Sequence, residues 1–468
     1  MAINSLFKER HKRIHLVGIG GIGMSGIARI LMQSGFMVSG SDLVASPEVQ
    51  NLQSMGAQIF LGHDGSNVGD ADVVVYSSAV AKNNPEVLAA QSKNIPIISR
   101  ALMLAEIMRL RCGIAIVGSH GKTTTTSLIG TLMHEKGLDP TVIIGGIVNH
   151  FGTNARLGLS QFMVTEADES DGTFLHLSPT IAVVTNIDAE HLDFYPGGIK
   201  EISQKVIGFL NNLPFYGLAV VCTDDAPIRA ILPHINRRVT TYGFADDATY
   251  QAKNITAKPF QTSFDLIKQG GFIARIQLAM VGHHNVLNAL AAIAVLEEIG
   301  IGAENLVETL GQFNGVKRRF SPIACTKDYL VIDDYAHHPT EIKSVLRAAS
   351  AAFPGRSVRV LFQPHRYSRT RDLMFEFSRA FEQCDSLAIT DIYGAGEAPL
   401  DGVSTHHLIE AIKAETGLHA HHATTLEEGT EHIVALAESN DIIFTLGAGS
   451  ITHAAPKIAQ LLEHKFGS

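Results

Sequence analysis

The chain has 468 residues, 46% hydrophobic and 18% charged, a composition typical of a globular protein of about two to four domains. A net charge of −9 without a basic block argues against nucleic acid as a partner. The four cysteines lack CxxC spacing, no apolar run approaches the length of a membrane helix, and the basic start lacks a signal peptide's apolar core. These features predict a cytoplasmic protein that does not enter a membrane.

The first pattern in the chain is that of a nucleotide-binding βαβ unit. A strand predicted at residues 14–17 runs into the glycine-rich residues 18–23, and a helix is predicted over residues 24–32. A second strand ends at Asp42, about 20 residues further on, and a third covers residues 73–76. This spacing fits NAD, but glycines at such a turn serve any nucleotide pyrophosphate, including that of a UDP conjugate. A purely structural turn is the third alternative.

A second glycine loop follows a buried strand predicted at residues 114–117. Its sequence, GSHGKT over residues 118–123, leads into a predicted helix, so backbone N–H groups and the helix N-terminus would bind phosphate. Lys122 would reach the β- and γ-phosphates and the Thr123 hydroxyl would ligate Mg²⁺. The usual P-loop needs glycine where Ile116 stands, so this is a shorter GxxGKT form. The alternative is an ordinary turn with a surface lysine.

Two further strands are predicted in the same domain, at residues 162–167 and 180–187, after a helix over residues 101–110 that marks a domain junction. Glu166 ends the first strand and His191 follows the second. Because strand ends of a parallel sheet converge on one edge, these two side chains could bind a divalent ion beside the nucleotide. A solvated acid and a structural histidine are the alternatives.

Residues 238–281 alternate as β-hairpins do, with a turn predicted at Gly270 and Gly271, and an apolar helix is predicted from His284. Asn285 and Asn288 share one face at the start of this helix, and their amides offer the donor and acceptor that an adenine edge requires. Helix capping by Asn285 is the alternative.

Beyond the basic residues 317–319 the strand and helix pattern starts again. Four strands are predicted, at residues 330–333, 358–362, 387–391 and 442–446. The segments DDYAHHP and QPHRYSR each follow one of these strands and form a cationic, histidine-rich group. Arginine binds carboxylates bidentately, so Arg366 and Arg369 are candidates for a carboxylate site. A surface cluster that binds nothing is the alternative.

With these segments in place, the chain resembles the Mur ligases, ATP-dependent amide-forming enzymes of peptidoglycan synthesis. The resemblance covers nearly the whole chain through the motifs HLVGIGGIGMSGIA, GSHGKTTTT, EADESD, TNIDAEHLD, GHHNVLNALAA, DDYAHHPTE and QPHRYSRT. It implies an α/β protein of three domains. These are a Rossmann-like UDP-sugar-binding domain (residues 1–108), a central P-loop ATPase-like parallel sheet (109–315), and a C-terminal Rossmann-like α/β domain binding the amino acid and part of ATP (316–468).

The resemblance implies that L-alanine is joined to UDP-N-acetylmuramate with ATP and Mg²⁺, by a monomer or weak homodimer. The residues matched to ATP binding are Gly118, Ser119, His120, Gly121, Lys122, Thr123, Thr124, Asn285, Asn288, Arg319 and Asp334. Those matched to the UDP-sugar are Gly18, Gly20, Gly21, Gly23, Asp42, His63, Ser77, Asn154 and Arg156. Those matched to the amino acid are Tyr335, His337, Arg366 and Arg369, of which the last three and Lys122 are the catalytic candidates. Those matched to the metal are Thr123, Glu166 and His191.

The chain departs from the family in one place, because TNIDAEHLDF contains no lysine that could be carbamylated to bind a second magnesium ion. Three alternatives to alanine ligation remain. The first is a ligase that attaches a preformed peptide to the same sugar. The second is an NAD-dependent dehydrogenase, which would explain GxGxxG and Asp42 but not GSHGKT. The third is a nucleotide-regulated binding protein without catalytic activity.

Overall fold

The structure is a computed structural model, and it describes residues 12–77, 79–81, 83–109, 111–167, 172–189, 194–313 and 315–467. Contacts divide the chain into two compact units. The first comprises Met1–Lys253, Asp265–Ile276 and Leu287–Asn314, and the second comprises Asn254–Phe264, Gln277–Val286 and Gly315–Ser468. Among the described residues, no helix combines the length and the apolar character needed to cross a membrane.

The first sheet has five parallel strands in the order β3-β2-β1-β4-β5. Its strands are β1 (Arg13–Val17), β2 (Met37–Asp42), β3 (Gln58–Leu61), β4 (Val73–Tyr76) and β5 (Ile97–Ser99). The helices between and after them are α1 (Ile22–Gln33), α2 (Pro47–Ser54), α3 (Pro85–Ser92) and α4 (Arg100–Met108). The order reverses between β1 and β4, which is where nucleotides bind in sheets of this kind.

The second sheet has ten strands in the order β15-β14-β13-β12-β11-β10-β6-β9-β7-β8. Its strands are β6 (Cys112–Val117), β7 (Thr141–Val148), β8 (Thr153–Arg156), β9 (Phe162–Glu166), β10 (Ile181–Val184), β11 (Leu218–Cys222), β12 (Arg238–Gly243), β13 (Tyr250–Lys258), β14 (Gln261–Lys268) and β15 (Gly271–Leu278). The helices are α5 (Lys122–Glu135), α6 (Gly198–Asn211), α7 (Ala226–Ile231), α8 (His283–Glu298) and α9 (Val307–Gly311). Strand β6 is central and apolar on both faces because parallel neighbours flank it on each side.

The third sheet has six strands in the order β16-β17-β21-β18-β19-β20, with β16 antiparallel and the others parallel. Its strands are β16 (Ser321–Cys325), β17 (Tyr329–Asp334), β18 (Val358–Phe362), β19 (Ser386–Thr390), β20 (Ala420–Ala423) and β21 (Asp441–Leu446). The helices are α10 (Pro339–Ala352), α11 (Tyr367–Asp372), α12 (Met374–Ser378), α13 (Thr405–Thr416), α14 (Leu426–Leu436) and α15 (Ala454–Phe466). The chain is thus an α/β protein with three sheet-containing domains.

The structure confirms most of the predicted elements and differs from the prediction in one strand pairing and in several bounds. Strands β4 and β18 have the predicted bounds, whereas α5 begins at Lys122, within the predicted loop of residues 118–123 rather than after it. The hairpin prediction for residues 238–281 is wrong at its start, because β12 and β13 pair in parallel. The link between them is folded back by Asp224, whose carboxylate accepts the N–H groups of Phe244 and Ala245.

The turn between β14 and β15 lies one residue earlier than predicted. Its central residues are Gln269 and Gly270, both with positive φ, as a tight hairpin turn of this kind requires.

Candidate active site

The loop of residues 118–123, called here the phosphate loop, has the backbone of an anion cradle. Gly118 has φ of +131° and Gly121 has φ of +81°, values that side chains other than glycine's rarely adopt. Gly121 is the N-cap of α5 and offers no side-chain cap, so the first turn of the helix presents its N–H groups to a ligand. Lys122 Nζ folds over the loop and donates to the carbonyls of Gly118 (2.6 Å) and Ser119 (3.2 Å).

The segment after β10 holds the phosphate loop in place. The N–H of His120 donates to Asn186 Oδ1 at 2.8 Å, and His120 Nε2 lies 3.0 Å from Asp188 Oδ2. The hydroxyl of Ser119 accepts the N–H of Asp188 at 2.9 Å, while that of Thr185 donates to the His120 carbonyl at 2.6 Å. The side chains of Ser119 and His120 therefore brace the loop, so the groups of the loop that could bind phosphate are its backbone N–H groups and Lys122.

A carboxylate and a hydroxyl meet beside the loop at the end of β9. Thr123 Oγ1 donates to Glu166 Oε2 at 2.8 Å, which joins two residues that sequence reasoning assigned to a metal. Gly145 on β7 makes room for this carboxylate, since a Cβ there would lie 2.0 Å from Glu166 Oε1. His191, the third predicted metal ligand, lies outside the described residues. Two oxygen donors of this kind suit a hard cation such as Mg²⁺.

The two predicted adenine contacts have different surroundings. Asn288 Oδ1 accepts a hydrogen bond from Thr125 at 3.1 Å and would lie 2.6 Å from a Cβ at Gly121, so Asn288 borders the phosphate loop. Asn285 is the third residue of α8 rather than its cap, and its Nδ2 donates to the carbonyl of Val281 at 2.8 Å. Capping by the Asn285 side chain at the N-cap position is therefore excluded. Thr124, also assigned to ATP, is buried in α5.

The loop of residues 18–23, called here the glycine loop, ends at the exposed N-terminus of α1. Gly18 has φ of +78°, and Gly21 caps α1 without a side-chain hydrogen bond. Asp42 fixes the loop, because its Oδ2 accepts the N–H of Gly20 at 2.8 Å and its Oδ1 accepts that of Val44 at 3.3 Å. Asp42 thus supports the loop backbone, a role different from the ribose contact that an NAD site requires of it.

A cavity of about 250 Å³ is lined by both the glycine loop and Glu166. Its lining includes Gly21, Gly23 and Ser77 from the first domain, together with Gly145 and Glu166 from the second. A phosphate group at the α1 N-terminus and a cation at Glu166 would both face this cavity.

Arg100 also lines the cavity and was missed by sequence reasoning. It is the first residue of α4, and a Cβ at Gly23 would lie 2.9 Å from its guanidinium. The only sequence signal for it was the position of a basic residue directly after the last strand of a parallel sheet.

A buried polar network surrounds Glu86, the second residue of α3. Glu86 is fully buried and accepts from Ser41 Oγ (2.5 Å) and Asn67 Nδ2 (2.6 Å), while His15 and His63 each place a ring nitrogen 3.5 Å from it. Burial alone would raise the pKa of Glu86, but these partners hold it at about 2. His63, a predicted uridine contact, is oriented by this network and is 18% exposed.

The two residues predicted near the sugar have partners within the protein. Asn154 is buried and donates through Nδ2 to the carbonyl of Ile22 (2.6 Å), so it fixes the start of α1 against β8. The guanidinium of Arg156 bonds to Asp139 (2.5 Å) and His134 (2.9 Å). Neither residue is among those that line the cavity in the described part of the chain.

In the second unit, two aspartates end β17 and organise a basic group. Asp333 accepts from Arg318 Nε at 3.0 Å, and the guanidinium of Arg318 lies 5.0 Å from the centre of the Tyr335 ring. Asp334 is buried and accepts the N–H groups of Phe320 (2.6 Å) and Ala336 (2.7 Å). Burial raises the pKa of Asp334 to about 6.

Asp334 was predicted to lie near the ribose. Both of its carboxylate oxygens accept hydrogen bonds from backbone N–H groups. Arg319, predicted near the phosphates, lies 5.3 Å from the centre of the Tyr335 ring and 3.5 Å from Glu341.

The predicted amino-acid residues gather at the ends of β17 and β18. His337 Nδ1 bonds to the carbonyl of Tyr335 at 3.0 Å, which makes Nε2 the basic nitrogen of the ring. The His337 and His365 rings are 5.8 Å apart, and Arg369 donates to His365. Arg366 is 43% exposed and lies 3.8 Å from Glu397. Its φ of +73° is a strained value for arginine, of the kind that functional sites tend to retain.

Three Mur ligase family models match successive parts of the chain. They are described as the Mur ligase family catalytic domain (residues 13–111), the Mur ligase middle domain (116–296) and the Mur ligase glutamate ligase domain (318–449).

Related proteins align with this chain over nearly its full length. A UDP-N-acetylmuramate–L-alanine ligase of Geobacter sp. (strain M21) is 51% identical, covering 94% of this chain and 95% of that one. A ligase of the same name from Myxococcus xanthus is 49% identical, covering 98% and 97%.

Solved structures of two ligases have the same fold as this chain over nearly its full length. The UDP-N-acetylmuramate–alanine ligase of Thermotoga maritima superposes with a TM-score of 0.82 at 29% identity, covering 97% of this chain and 99% of that one. A murein peptide ligase of Psychrobacter arcticus has the same fold, with a TM-score of 0.72 at 23% identity and coverage of 96% and 98%. The chain belongs to the Mur ligase family.

Proposed function

We propose that this chain is an ATP-dependent ligase that joins L-alanine to UDP-N-acetylmuramate through an acyl phosphate, releasing ADP and phosphate, in peptidoglycan synthesis. The observation that carries the proposal is the continuity of the glycine loop, the cavity and the Thr123–Glu166 pair within one unit. The names of the relatives at about half identity support the choice of alanine. Residues 1–108, 109–315 and 316–468 would serve the UDP-sugar, ATP and the amino acid.

The chemistry follows from the poor leaving ability of hydroxide, which requires the sugar carboxylate to be phosphorylated first. An anionic carboxylate then has to attack an anionic γ-phosphate, and positive groups must offset their repulsion. Lys122 supplies such a charge over the phosphate loop, and the α5 N-terminus adds its dipole. Arg100 adds a further charge in the cavity through which the sugar carboxylate would approach Glu166.

Thr123 and Glu166 are the described residues that would hold Mg²⁺, since both present oxygen atoms to one point beside the phosphate loop. Bound there, Mg²⁺ would neutralise charge on the phosphates.

In the second unit, His337 is the candidate base for the amine of alanine, because its Nδ1 is committed to the Tyr335 carbonyl. Arg366 and Arg369 are the candidates for the alanine carboxylate, and the exposed Arg366 is the better placed to reach a ligand.

The free state of all four cysteines supports a reducing, cytoplasmic compartment.

Release of phosphate from ATP, measured with UDP-N-acetylmuramate and alanine added together and separately, tests the proposal. Release that depends on both substrates is expected, and release without either would contradict it. Replacing alanine with a tripeptide separates alanine ligation from peptide ligation, and tighter binding of UDP-sugar than of NAD separates both from a dehydrogenase.

A further inference from the structure

Four histidines surround β20, the strand at one edge of the third sheet. His421 and His422 are neighbours on this strand, so their side chains project to opposite faces of the sheet. Each contacts the ring of a histidine from a helix, His432 on α14 for His421 and His406 on α13 for His422. The proposed ligation reaction uses none of these residues.

The two pairs differ in how their rings are oriented, and the difference excludes one of them as a pair of metal ligands. An imidazole nitrogen donates its lone pair in the plane of the ring, so two rings stacked face to face cannot both direct a nitrogen at one ion. The rings of His421 and His432 are parallel, with an interplanar angle of 8° and centroids 3.7 Å apart. Those of His406 and His422 cross at 68° with centroids 4.4 Å apart.

A carboxylate also orients one ring of the crossed pair. His422 Nε2 lies 2.7 Å from Asp391 Oδ1, so the Nε2 proton is donated to Asp391 and Nδ1 keeps the lone pair. Metal-binding histidines in proteins characteristically donate their second ring N–H to a carboxylate in this way. His406 is exposed on α13, so an ion can reach the pair from solvent.

We propose that His406 and His422 bind a divalent transition-metal ion of the Zn²⁺ class, with Asp391 positioning His422 and water completing the coordination. Imidazole ligands select Zn²⁺, Ni²⁺ or Cu²⁺ over the hard Mg²⁺ that the Thr123–Glu166 pair suits. The ion would tie α13 to β20. The site is separate from the proposed active site in its residues and in its preferred ion.

Calorimetric titration of the full-length chain with Zn²⁺ in excess Mg²⁺ tests the site. Saturable binding is expected. His406→Ala and His422→Ala should each weaken the affinity for Zn²⁺ by about tenfold or more, and Asp391→Asn should weaken it as well. His432→Ala is the matched control and should titrate as the wild type does. Zn²⁺ should also raise the Tm of the wild type but not that of His406→Ala.

Unchanged Zn²⁺ affinity in His406→Ala, or an equal loss in His432→Ala, would overturn the proposal. His406 is exposed on a helix surface, so this variant keeps the test valid even where His422→Ala fails to fold.

Discussion

Gly145 is expected to be required for catalysis although it offers no functional group. It lies on β7, and a Cβ added to it would stand 2.0 Å from Glu166 Oε1. That oxygen belongs to the carboxylate that accepts the Thr123 hydroxyl at 2.8 Å. Gly145→Ala would therefore push the carboxylate away from the position in which it and Thr123 face one point.

The size of the effect follows from the displacement. Real Cβ contacts are essentially never shorter than 3.0 Å, so Oε1 must move by roughly 1 Å. A misplacement of this size at a reacting centre costs about 100-fold in rate, which corresponds to about 2.7 kcal/mol of transition-state stabilisation. The fold itself should tolerate the change, because the displaced atom is the end of a flexible side chain.

The assay is kcat/KM for ligation over a series of Mg²⁺ concentrations, with Tm measured in parallel. Gly145→Ala should lower kcat/KM about 100-fold and raise the Mg²⁺ concentration needed for half activation, with little change in Tm. Gly208→Ala on α6 is the matched control, since a Cβ there meets no atom within 4 Å. Wild-type activity in Gly145→Ala, or a large loss of Tm, would refute the reasoning.

Three further outcomes are expected. Lys122→Ala should abolish ligation and leave UDP-sugar binding largely intact, whereas Lys136→Ala, at the exposed C-cap of the same helix, should be active. Near-wild-type turnover of Lys122→Ala would count against the phosphate loop. Arg366→Ala should raise the KM for alanine about 10- to 100-fold and that for ATP much less, with Arg371→Ala as control; an unchanged alanine KM would contradict the carboxylate site. Glu86→Gln should destabilise at neutral pH by about 3 kcal/mol, because the folded pKa of Glu86 is near 2 and its ordinary value is 4.5. That contribution is present above pH 4.5 and is lost as pH falls through 2, so the difference in unfolding free energy between the two proteins should shrink in acid; a difference independent of pH would show that Glu86 is not held ionised.

The sequence was most informative where one short segment contains both a secondary-structure element and the candidate site residues that it positions. The strand, loop and helix around Lys122 are contiguous, so their register could be predicted without knowledge of the rest of the chain. Strand β9 could likewise be predicted, because its apolar run is contiguous; it was predicted over residues 162–167 and ends one residue earlier, at Glu166.

Features that depend on contacts between distant segments could not be predicted. Gly145 matters only because Glu166, on another strand, lies against it, and Arg100 matters only because α4 begins beside Gly23. Strand β7 was missed because two adjacent glycines interrupt its apolar pattern. The parallel pairing of β12 with β13 depends on Asp224, which precedes β12 and binds the link after it.

The same dependence explains why a resemblance to a family identifies residues better than it identifies their roles. Asp42 and Asn154 were matched to the UDP-sugar, yet Asp42 accepts the N–H of Gly20 in the glycine loop and Asn154 donates to the carbonyl of Ile22 in α1. A side chain that holds the loop in place is as necessary as one that touches the ligand, and removing either weakens binding. The two roles separate in a variant that keeps the hydrogen bond but changes the charge. Asp42→Asn retains one acceptor oxygen for Gly20 and gives up the longer bond from Val44, so a loop-supporting role should leave UDP-sugar affinity largely unchanged, whereas a contact that requires the negative charge of Asp42 would be lost.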